Sequence, residues 1–230
     1  MKLPQEPHAW DLSPEQARQL QRDLASRVEC TWRGRSVRLV AGIDCTVSRD
    51  GAACIAAVVS YELHRGQAVE QRVAHAPLRF PYVPGLLSFR ETPAVLAALR
   101  KLRQVPDVVL CDAHGLAHPR RFGLACHLGV ITGLATVGCA KSRLVGRHTE
   151  PGARKGCRRA LMDRGERVGT VLRTRGGVKP LYVSIGHGID LPLAERIVLA
   201  CSVRYRLPEP QRLAHQLAAR ARARRSTDCI

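Results

Sequence analysis

Apolar residues recur along this chain first with a helical and then with a strand period. Ser13-Pro14-Glu15-Gln16 reads as an N-cap, a proline at the first helical position and a glutamine three residues on. Ala17, Leu20, Leu24 and Val28 then mark one apolar face, which predicts a helix from 14 to about 28. Three β-rich runs follow at 37–45, 52–64 and 67–76, separated by Ser48-Arg49-Asp50-Gly51 and Arg65-Gly66. Runs joined by such glycine-bearing turns predict an antiparallel three-strand meander. After the proline-rich loop Phe80-Pro81-Tyr82-Val83-Pro84-Gly85 the pattern changes. A helical stretch to about 103 leads into the apolar run Val108-Val109-Leu110-Cys111, then a helix near 122–134 and a strand near 135–140. Further strands are expected at 168–173 and 180–184, and helices at 192–203 and 209–225, while the arginine- and glycine-rich segment 143–167 reads as an exposed basic loop.

A meander feeding αβ units argues for an α/β fold with one mixed sheet flanked by helices. We expect a single domain over 1–230, with an arginine-rich tail from about 218. Hydrophobic residues make up 45% and charged residues 24%, which excludes a disordered or collagen-like chain. No run reaches the ~18 apolar residues of a membrane span, and the N-terminus shows no secretory h-region. Nine cysteines, an odd number without any CxxC, argue against a disulfide or zinc-ribbon framework and for a reducing cytoplasm.

Charge changes the picture. The net charge is +18, and only five of the 37 cationic residues are lysine. Arginine-rich surfaces suit phosphate oxygens, so the expected partner is nucleic acid, although an arginine bias can also follow base composition. Three carboxylates stand at element ends: Asp44 after Ala41-Gly42-Ile43, Asp112 after the 108–111 strand, and Glu91 near a helix start. Together they suit a hard cation such as Mg²⁺, whereas each alone reads first as a cap or a surface charge. His118, Arg120 and Arg121 are candidate phosphate contacts. His114 and His118, four apart, give a zinc alternative that Gly115 and Pro119 weaken. Lys141 reads as a point charge on a leaving oxygen or as a surface lysine. His215 reads as functional or as a satisfied core histidine. Tyr82, held between prolines, reads as a wedge between bases or as loop packing.

Six separated blocks then resemble the endonuclease V family of deaminated-base repair nucleases, in the family's order. They are Ala41-Gly42-Ile43-Asp44, Pro81 to Glu91, His118-Pro119-Arg120, Gly123 to Gly129, Cys139-Ala140-Lys141-Ser142 and Tyr205 to Pro210. The resemblance implies a ribonuclease H-like fold and Mg²⁺-dependent hydrolysis, with Mn²⁺ as a substitute, of DNA containing deoxyinosine, at the second phosphodiester bond 3′ to the lesion. It further implies that Asp44, Glu91 and Asp112 bind the metal and that Lys141 and His215 belong to the active site. By the same resemblance Pro81, Tyr82, Val83 and Pro84 form the strand-separating wedge, and Gly85, Leu87, Gly115, Gly123 and Leu144 line the pocket for the everted base. Three departures stand out: Ala113 where the family commonly has glycine, Cys126 before His127, and Cys45-Thr46-Val47 after Asp44. The competing readings are a ribonuclease for inosine-containing RNA and a basic nucleic-acid-binding protein without catalysis.

Overall fold

The computed structural model describes residues 1–34 and 36–224. Helix α1 (Pro14–Ala25) begins at the expected cap. The Ser13 hydroxyl accepts from the Gln16 N–H at 3.2 Å, and the Gln16 side chain accepts from the Ser13 N–H at 2.8 Å. The meander is present as β1 (Leu39–Val47), β2 (Ala53–Glu62) and β3 (Gln67–Pro77). It is followed by α2 (Leu87–Arg100), β4 (Val108–Cys111), α3 (Leu124–Thr132) and β5 (Thr136–Ala140). The remaining elements are β6 (Arg158–Asp163), β7 (Glu166–Leu172), β8 (Leu181–His187), α4 (Leu191–Cys201) and α5 (Glu209–Arg224).

The strands form one mixed sheet in the order β3-β2-β1-β4-β5-β8-β7-β6, with β1, β4 and β5 parallel and the other pairs antiparallel. Ala41, Ile43, Val109 and Cys111 pack on one face against Ala94, Val95 and Leu99 of α2 and Leu128 of α3. Val40, Val108, Leu110, Val137 and Cys139 pack on the other against Ala194, Ile197 and Val198 of α4. Strand alternation therefore sends positions 44, 112 and 141, next in these rows, toward the second face. Helix α5 crosses that face so closely that a Cβ on Gly42 would lie 2.2 Å from the Pro210 carbonyl carbon. Only glycine permits this backbone-to-backbone seat.

The expected basic loop at 143–167 is corrected: its second half is the β6–β7 hairpin. Arg164 and Gly165 both take positive φ (53° and 83°), the pair of left-handed residues that a two-residue hairpin turn requires. The arginines there are exposed as expected, but two of them are anchored. Arg158 and Arg167 each donate to Glu195 of α4 at 2.9 Å, and the Thr170 hydroxyl donates to the same carboxylate at 2.5 Å. The expected tail from about 218 is likewise helical as far as Arg224, while Arg225 and Cys229 lie outside the described residues. Among the described residues no helix is long and apolar enough to cross a membrane.

Candidate active site

Ile43 and Cys111 are partners in the parallel β1–β4 pair, so Asp44 and Asp112 extend neighbouring strands about 4.8 Å apart. Glu91 reaches them from α2, and all three border one small cavity of about 10 Å³, room for a single water-sized group. Burial and mutual repulsion both act on these carboxylates. Burial, then the charges of Asp44 and Asp112, push the Glu91 carboxyl up to about 7. Burial and Asp112 also raise Asp44, against the lowering pull of His215 and Lys141. Two side chains meet this edge: Lys141 Nζ is ion-paired with Asp112, and His215 Nδ1 lies 2.8 Å from Asp44 Oδ2. The α5 seat on Gly42 is what brings His215, one turn beyond Pro210, to that contact.

An all-carboxylate set carrying surplus negative charge fits a hard divalent cation, which takes oxygen donors. Among the described residues no three such side chains are gathered tightly enough to hold an ion as they stand. One Asp112 oxygen is directed to Lys141 and one Asp44 oxygen to His215 instead. The zinc alternative does not fit. His118 Nε2 lies 3.0 Å from the Gly85 carbonyl, and its Nδ1 accepts from the Arg120 N–H at 3.3 Å, leaving no nitrogen for a metal.

On the far side of Asp112 opens a cavity of about 340 Å³. Tyr82, Val83, Pro84, Gly85 and Leu87 line one wall, and Gly123, Lys141 and Leu144 line the others. Tyr82 stands 70% exposed at the loop tip, free of the packing role that was its alternative. Gly115, expected in this pocket, is not among the lining residues; a Cβ there would meet the Ile185 carbonyl oxygen at 1.9 Å, so its place is a close backbone seat on β8. Ala113, the departure from the family pattern, is buried and borders the cavity. Pro81 sits outside the lining. His114 contributes a buried Nδ1 without a protein partner, and burial lowers its pKa to about 4, so the ring is neutral.

The three candidate phosphate contacts turn toward the protein. His118 is 3% exposed, and burial followed by the Arg120 charge lowers its pKa to about 4. Its Nε2, Arg120 Nη2 at 2.8 Å and Gln21 Nε2 at 3.1 Å converge on the Gly85 carbonyl oxygen, and Arg120 Nε also donates to Gln21 Oε1 at 2.6 Å. Arg121 pairs with Asp163 at 2.7 Å and Glu166 at 3.1 Å. This group therefore braces the Tyr82 loop. Sequence reading missed Gln21, although its place in the apolar stripe between Ala17 and Leu24 was a signal: a buried amide needs partners. It also missed Arg206, whose Nη2 donates to the carbonyls of Lys141 at 2.6 Å and Pro180 at 2.8 Å, fixing the backbone that carries Lys141.

Known proteins resemble this chain in both sequence and fold. A sequence model of the endonuclease V family matches residues 22–216. An endonuclease V from Trichormus variabilis is 49% identical over 215 residues, 93% of this chain and 97% of that protein. One from Alkalilimnicola ehrlichii is 51% identical over 214 residues, 92% and 94% of the two chains. The crystal structure of endonuclease V from Streptomyces avermitilis superposes with a TM-score of 0.90 at 41% identity, covering 96% of this chain and 98% of that one. A Ciona intestinalis endonuclease V, solved with a 23mer DNA containing an inosine followed by a ribo-adenosine, gives 0.82 at 26% identity over 93% and 99%. Shared sequence and shared fold thus run nearly end to end, and this chain belongs to the endonuclease V family of nucleases.

Proposed function

We propose that this nuclease recognises deaminated bases in DNA, chiefly deoxyinosine, and hydrolyses the second phosphodiester bond 3′ to the lesion. The observation that supports this best is the adjacency of two features: an open cavity walled by an exposed aromatic loop, and three mutually repelling carboxylates at its edge. Asp44, Glu91 and Asp112 would hold Mg²⁺, with Mn²⁺ as a substitute, and the bound ion would lower the pKa of an attacking water. His215 holds Asp44 in place, and its exposed ring is positioned to orient that water. Lys141 brings positive charge to the carboxylate edge, where phosphate charge builds up. Tyr82 fills the gap in the stack once the base has swung into the cavity, where the neutral His114 and backbone groups meet its edge. We further propose that the chain works as one domain in the cytoplasm.

The test is a pair of labelled duplexes, identical except for one deoxyinosine, incubated with and without Mg²⁺. The expected product is a Mg²⁺-dependent nick one nucleotide beyond the inosine's own 3′ bond. Asp44→Ala should abolish the nick while binding persists; unchanged function in that variant would favour the non-catalytic binder. A second reading, cleavage of inosine-containing RNA, is favoured by the ribo-adenosine after the inosine in the Ciona intestinalis complex. Substrates differing only in the 2′-OH at that position separate the two.

A further inference from the structure

The carboxylates have a second neighbour. On the side away from the base cavity, Asp44 borders an open groove of about 500 Å³. One bank is Thr46 and Arg49, on β1 and its turn, and the other is the α5 face bearing His215, Ala219 and Arg222. Positions 215, 219 and 222 are four and three residues apart and so form one stripe along the helix. At 1.5 Å per residue the stripe runs about 10 Å from His215 to Arg222, the length of about three nucleotides at 3.4 Å each. Arg49 and Arg222 are both exposed, and Asp44, at the inner end, is the one carboxylate among the described residues lining the groove. Arg222 stands in the last turn of α5, where a helix dipole favours arginine, and Arg49 stands on the opposite bank.

Cavity, carboxylates and groove therefore follow one another in a line, because Asp112 borders the first, Asp44 borders the last, and the two end paired strands. A strand with its base in the cavity and its phosphate at the carboxylates meets the groove next. We infer that this groove holds the nucleic-acid strand beyond the scissile phosphate, with Arg49 and Arg222 gripping its phosphates. The inference rests on the function proposed above, under which the cut lies 3′ of the base, so the groove takes the 3′ arm.

The experiment is fluorescence anisotropy of the full chain without divalent cation, using 5′-labelled inosine strands with 3′ arms of about two to about ten nucleotides. Affinity should rise over the first roughly three nucleotides added past the cut position and then level off. Arg222→Glu and Arg49→Glu should each remove that rise and lower the slope of log affinity against log salt by about one, and Arg222→Lys should restore it. Arg103→Glu makes the same charge change in the α2–β4 connection, at the opposite end of the sheet, and should keep the rise. The inference is overturned if Arg222→Glu follows Arg103→Glu at every arm length, or if it alters the response to the 5′ arm instead. Equal affinity for inosine and guanine strands would sink the base-pocket reading alone, since the salt slope of Arg222→Glu still reports the groove.

Discussion

Replacing Gly42 by alanine places a single methyl group against the backbone that seats α5. The new Cβ would stand 2.2 Å from the Pro210 carbonyl carbon, 2.3 Å from Gln211 N and 2.4 Å from the Pro210 carbonyl oxygen. None of these atoms can rotate away. Ordinary carbon contacts begin near 3.5 Å, so the start of α5 must withdraw by roughly 1.3 Å. His215 rides on that helix, and its 2.8 Å contact with Asp44 would then open to about 4 Å, beyond hydrogen-bond reach. Overpacking of this kind costs about 1–3 kcal/mol of stability, while a displacement of about 1 Å at a reacting centre lowers the rate about a hundredfold. Single-turnover nicking of an inosine duplex, run beside thermal denaturation, reads both. Gly133→Ala is the matched control: its φ of +71° strains any other residue, but nothing lies within 4 Å of the new Cβ, so it should lose about 1 kcal/mol and keep its rate. A Gly42→Ala enzyme as fast as Gly133→Ala would refute the argument that this seat sets the His215–Asp44 contact.

Three further changes test other parts of the molecule. Burial, then the neighbouring His8, lowers the His127 pKa to about 3; because the unfolded chain takes up that proton below about 6.5, the stability it contributes is complete above that pH and lost on acidification. Urea titrations should show wild type losing about 2 kcal/mol more than His127→Gln between pH 6.5 and 5, and parallel pH curves would count against it. Tyr82→Ala should narrow the preference for inosine over undamaged duplex about tenfold in kcat/KM, and an unchanged ratio would remove the wedge. Ala113→Gly should shift the relative cutting of xanthosine and inosine substrates about tenfold; equal ratios would place the methyl outside base recognition.

Much of this was legible in residue order. The capping box at Ser13, the meander and the carboxylates at strand ends are local or near-local patterns, and the parallel β1–β4 pair turned two sequence-distant aspartates into neighbours as αβ topology dictates. The β6–β7 hairpin was not read because β6 is an edge strand: only Leu161 of its residues is buried, so its apolar alternation is too weak to register, although the Arg164-Gly165 turn was in view. His118 and Arg120 were read by charge type as phosphate contacts. Their partner is a carbonyl oxygen about 35 residues earlier in the chain, and no pattern of residue types encodes that hydrogen bond. Arg206 was hidden for the same reason.

The three donors on the Gly85 carbonyl also couple parts of the molecule that the chain keeps apart. Through Gln21 the loop tip is geared to the first helix, which packs on Phe80 and Phe89 by way of Ala17. Loop and helix then share one mechanical coordinate, and any swing of Tyr82 into a duplex must drag or break that linkage. The family match starts at residue 22, so a chain trimmed to the matched segment would cut the gear tooth itself. Under the proposed function, a helix lying mostly outside that match would set the stiffness with which the loop meets a base stack.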